Sequence, residues 1–134
     1  MKNILISFII SLTSILIIDG VWLTVVAQKF YKTHIGHLMT KNPNLAPAII
    51  FYIIYALVIT ILIVVPAINN NYSLLKTFAL GTLLGLAAYS AYDLTNHAIL
   101  KNWPLTVTLV DILWGTALTG AISLIATSLV KKIL

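Results

Sequence analysis

The chain has 134 residues, with eight lysines, no arginine, three aspartates, no glutamate and a net charge of +5. Hydrophobic residues make up 60% of it and charged residues 8%, against roughly 25% charged in a soluble domain; mean hydropathy is +1.05. Such a chain cannot cover a water-facing surface, so soluble enzymes and disordered tails are excluded. The lack of arginine argues against a nucleic-acid partner, and the lack of cysteine removes disulfides, thiolate metal sites and cysteine nucleophiles.

A hydrocarbon core about 30 Å thick takes about 20 apolar residues per helix. Four stretches reach that length, at about residues 4–27, 47–68, 76–100 and 105–130, separated by breaks at 29–46, 69–73 and 101–104. The expectation is a single all-α domain over residues 1–134: an integral membrane four-helix bundle with both termini on one side, here called side A. Pro47 and Pro104 stand where a helix can begin without losing a hydrogen bond. Pro66 falls in the last turn of the second helix, where it tilts or ends it. The first stretch is too long for a signal peptide and meets Asp19 in place of a small-residue cleavage site. Side A receives Lys2, Lys76, Lys131 and Lys132; side B receives Lys29, Lys32, Lys41 and Lys101. That balance leaves orientation open, and the lysines read as headgroup contacts with membrane lipid.

The acids are the informative residues. Asp19 in the first helix, Asp93 in the third and Asp111 in the fourth all fall in the side-B half, and no lysine lies within a span to neutralise them. A charged side chain facing lipid costs at least about 2.5–3.5 kcal/mol, so all three are expected to point inward. They then share protons, hold a cation or accept hydrogen bonds. Without a counter-charge three neighbouring carboxyls cannot all ionise, so at least one is expected to be protonated at pH 7 in the absence of a ligand.

Neighbouring residues fit a shared interior. In the third helix Gly81, Gly85, Ala88, Tyr92 and Asn96 form one face, with Asp93 on its flank; Gly81 and Gly85 make a GxxxG pair that lets helices approach closely. Asp111, Gly115 and Thr119 align on the fourth helix, and Ser7, Ser11 and Ser14 make a polar stripe on the first. Asp19-Gly-Val-Trp22 and Asp111-Ile-Leu-Trp114 share a D-x-x-W spacing that puts acid and indole on one side of each helix. The candidate ligand-binding residues are therefore Asp19, Trp22, Tyr92, Asp93, Asn96, Asp111 and Trp114. Asp93 and His97, one turn apart, are a candidate metal pair. His34 and His37 lie in the long side-B break, which is a candidate interfacial helix. Tyr31, Phe51, Tyr52, Tyr55 and Trp103 read as an aromatic belt at the side-B interface. The second helix, whose only ionisable side chains are tyrosines, is expected to be peripheral to the acids. Helices one, three and four are expected to contact one another.

No cofactor motif is present: there is no HExxH, no glycine-rich phosphate loop and no arginine clamp. Three functional classes fit the pattern. The favoured one is binding or translocation of a proton, a cation or a small cationic or amphipathic ligand, for which a homodimer suits a transport path. The others are a membrane enzyme with an aspartate acid/base acting on a lipid-like substrate, and a structural or accessory protein.

The runs Ile18-Asp19-Gly20-Val21-Trp22-Leu23, Ala91-Tyr92-Asp93-Leu94-Thr95-Asn96, Lys101-Asn102-Trp103-Pro104-Leu105 and Val110-Asp111-Ile112-Leu113-Trp114-Gly115 resemble the small bacterial membrane proteins grouped as domain of unknown function 2177. The resemblance covers nearly the whole chain and implies a compact four-span protein of the bacterial inner membrane. It implies no activity, cofactor or catalytic residue.

Overall fold

The computed structural model describes residues 2–134, and those residues are all helix and connecting turns. Four helices are long and apolar enough to cross a membrane: Asn3–Leu38, Leu45–Asn69, Leu74–Ile99 and Leu105–Ile133. An even number of crossings returns the chain to side A.

The first span is α1 (Lys2–Val21), a widened π-helical turn (Trp22–Ala27), α2 (Gln28–Ile35) and a 3-10 turn (Gly36–Leu38). The helix therefore continues well past residue 27, the end that the apolar run predicts. No proline or glycine interrupts residues 21–35, and the helix yields only at Gly36, ahead of Pro43. At 1.5 Å per residue these 36 residues reach about 54 Å, far more than a hydrocarbon core needs. The turns carrying Lys29, Lys32 and His34 therefore emerge on side B.

The second span is α3 (Leu45–Ile59), a second widened turn (Thr60–Val64) and α4 (Val65–Asn69). The Asn44 side chain caps its start by accepting from the Ala46 amide at 3.1 Å. The widened turn immediately precedes Pro66, whose ring would clash with the preceding turn of a regular α-helix. The connection to α5 (Leu74–Ile99) is tight, with Asn71 at φ 49°. Ser73 caps α5 through its Oγ, 3.2 Å from the Lys76 amide. Asn102, at φ 59°, turns the chain into α6 (Leu105–Ile133); asparagine is among the few residues that tolerate this left-handed conformation.

The α5–α6 hairpin is the most closely packed part of the bundle. Gly81 and Gly85 of α5 lie directly on α6: a Cβ at Gly85 would sit 2.3 Å from the Gly115 carbonyl oxygen. A Cβ at Gly115 would sit 2.1 Å from the Tyr89 ring. Ile15, Tyr55, Ile59, Leu118 and Ile122 form the apolar centre, alongside a buried series of hydroxyls at Ser7, Ser11, Thr60, Thr119, Ser123 and Thr127.

Helix adjacency corrects one expectation. α1 packs chiefly on α6 and on α3, and α5 is not among its principal neighbours. The glycine face of α5 is taken up by α6, so α1 finds its second neighbour in the second span. Gly115→Val is expected to destabilise the bundle by about 1–3 kcal/mol, because the added methyls meet an aromatic ring packed on a rigid helix. Thermal unfolding in a maltoside detergent measures this. An unchanged midpoint would show that Tyr89 swings aside freely.

Candidate functional site

Asp19 lies on the inward face of α1, in register with Ser7, Ser11 and Ile15, and is 6% exposed. Both of its oxygens are occupied. The Trp114 indole N–H donates to Oδ1 at 2.8 Å, and the Tyr52 hydroxyl donates to Oδ2 at 2.5 Å. The indole of the fourth helix's D-x-x-W pair thus serves the acid of the first, with no reciprocal bond from Trp22 to Asp111. Asp111 on α6, 8% exposed, accepts from the Tyr31 hydroxyl of α2. Asp93 is fully buried, at 0% exposure, beside Asp111, and neither of its oxygens receives a hydrogen bond.

Asp19 and Asp111 open onto one cavity of about 350 Å³. Six aromatic residues wall it: Trp22, Tyr31, Phe51, Tyr89, Tyr92 and Trp114. The Trp22 and Trp114 rings stack at 4.2 Å between centroids and 10° between planes, and the Trp22 N–H is buried with no hydrogen-bond partner. No lysine lines the cavity, and none bonds to an aspartate among the described residues. The polar end of the cavity therefore presents two carboxyl groups between aromatic walls.

Of the seven candidate residues, Asp19, Trp22, Tyr92, Asp111 and Trp114 line the cavity; Asp93 lies behind Asp111, and Asn96 is half-buried outside the lining. The helical phase expected for α5 needs correcting. Asp93 continues the buried row Thr77, Gly81, Gly85, whereas Tyr92, 59% exposed, sits at the edge of the cavity. Asp93 and His97 belong to no group of three potential metal ligands among the described residues, and the His97 side chain is exposed.

Tyr31, Tyr52 and Tyr89 were not singled out as site residues by the sequence. Tyr31, Tyr52 and Tyr55 are not the interfacial belt that their sequence positions predict: Tyr31 and Tyr52 donate to the acids, and Tyr55 is buried with its hydroxyl 2.7 Å from that of Thr119. The second span is consequently part of the site and not peripheral to it. Trp103 is also buried, its indole N–H donating to Thr108 at 3.0 Å. The i, i+4 spacing of Tyr89 to Asp93 was visible in the sequence. Tyr31 was not within reach of it. Twelve residues along a regular α-helix place Asp19 and Tyr31 about 120° apart, at 100° per residue. The widened turn Trp22–Ala27 absorbs one residue, which leaves about 20° and brings both side chains to one face.

No curated protein and no solved structure matches the chain. A family model described as "Predicted membrane protein (DUF2177)" matches residues 4–128, nearly the full length, and the chain belongs to that family of multi-pass membrane proteins.

Proposed function

We propose that the protein is a binding protein of the bacterial inner membrane whose cavity takes a small organic cation, an amine or quaternary ammonium group. The observation that carries this reading is the pairing of Asp19 and Asp111 on one aromatic-walled cavity that holds no lysine. Two carboxylates in a low-dielectric interior call for a positive partner, and the protein supplies none there. Aromatic faces attract ammonium groups by roughly 0.5–2 kcal/mol each. A metal ion is a poorer guest. It needs several free oxygen ligands, whereas both oxygens of Asp19 already accept hydrogen bonds. A membrane enzyme using an aspartate as general acid or base on a lipid-like substrate is the second class.

Two of the three tryptophans wall the cavity, so intrinsic fluorescence reports its occupancy. Tetramethylammonium is expected to change that fluorescence saturably in maltoside-solubilised protein, with the change reduced in Trp22→Phe, which leaves Trp114 as the reporter. Magnesium, calcium and zinc are expected to produce no saturable change. A response to a divalent metal alone would replace the organic-cation reading with a metal site.

A further inference from the structure

Asp93 is the one acid of the site with no hydrogen bond. Both of its oxygens are buried and receive no donor, and another carboxyl, Asp111, stands beside it. An ionised carboxylate so placed would face desolvation and like charge together. A protonated Asp93 would donate its O–H to Asp111 and satisfy both residues. The remaining titratable groups around the pair are Tyr31 on α2, Asp19 on α1, and Tyr89 and Tyr92 on α5, each of them a phenol or an acid. None carries positive charge. His97, one turn beyond Asp93, has an exposed side chain.

Resting on the reading of the cavity as an organic-cation site, we propose that it works as a cation–proton exchanger: Asp93 and Asp111 share one proton, and a cation entering against Asp111 displaces it. The balance is simple. A pair with one proton and one negative charge becomes a pair with two negative charges, the cation takes its place in the cavity, and the proton leaves to solvent. The cation supplies the counter-charge that the protein lacks, so its presence loosens the hold on the proton. By reciprocity the proton weakens cation binding to the same extent. Asp93 holds the proton and Asp111 faces the guest, so one binding event couples two ligands of like charge without a lid or a second site.

The test is tetramethylammonium binding to the full chain in maltoside across pH 5.5–8.5, with proton release read by an indicator dye in weak buffer. Wild type is expected to bind more tightly as pH rises, approaching about tenfold in Kd per pH unit, and to release up to one proton per cation bound. Asp93→Asn keeps a neutral donor to Asp111, so it is expected to bind with a Kd that does not vary with pH and to release no proton. His97→Gln is expected to behave as wild type. Binding by wild type without proton release overturns the exchange but leaves the cation site standing. Proton release that persists in Asp93→Asn, or vanishes in His97→Gln, also overturns it. Absence of binding at every pH overturns both. If Asp93→Asn fails to fold, wild-type proton release alone decides the exchange.

Discussion

Asp111→Asn is expected to weaken tetramethylammonium binding at pH 7.5 by about 30-fold or more. Asp111 is the acid that both faces the cavity and stands in front of Asp93. Removing one member of a desolvated charge pair typically costs about 2–5 kcal/mol, and each 1.4 kcal/mol is tenfold in affinity. The amide keeps an oxygen to accept from Tyr31, so the loss reports charge and not collapse of the local structure. Lys76→Ala is the matched control: Lys76 stacks over the Tyr72 ring at 3.5 Å on side A, remote from the cavity, and its removal is expected to leave Kd unchanged. Equal affinity in Asp111→Asn and wild type, measured by fluorescence titration, would show that the guest does not engage this carboxylate.

Asp19→Leu is expected to be the most destabilising single change at the site, by about 2–6 kcal/mol. The Trp114 N–H and the Tyr52 O–H both end on Asp19, and leucine strands both. A buried donor left without an acceptor costs about 1–3 kcal/mol. Asp19→Asn retains one acceptor oxygen and is expected to lose less than half as much. The difference between the two variants in thermal midpoint, in the same detergent, separates loss of hydrogen bonding from loss of charge. Similar midpoints for Asn and Leu would mean that the two donors find other partners, and Asp19 would then not be what joins α1, α3 and α6.

The spans, the inward direction of the acids and the small-residue contact of α5 were legible in the sequence because each follows from one local property. Apolar length gives a span; a carboxyl cannot face lipid; Gly81 and Gly85 recur at one helical turn. The site's hydrogen-bond donors were less legible for a specific reason. Tyr31 reaches Asp111 only because the widened turn Trp22–Ala27 shifts the helical phase, and no residue type announces such a turn. Tyr52 and Tyr55 sit near a membrane face, where tyrosines are ordinarily interfacial, so depth alone pointed the wrong way. Which helices touch was also hidden. Three helices bearing acids suggested a three-way contact, but the glycine face of α5 has room for a single close neighbour, and α6 occupies it.

The most direct measurement of the central claim is a calorimetric titration of the purified protein with tetramethylammonium chloride, in maltoside at pH 7.5. It is run on wild type and on the double variant Asp19→Asn/Asp111→Asn, with sodium chloride at equal concentration as the ionic-strength control. One saturable site in wild type and none in the double variant is the expected result. Saturation of the same magnitude in both proteins, or none in wild type, would contradict an organic-cation site at these carboxylates.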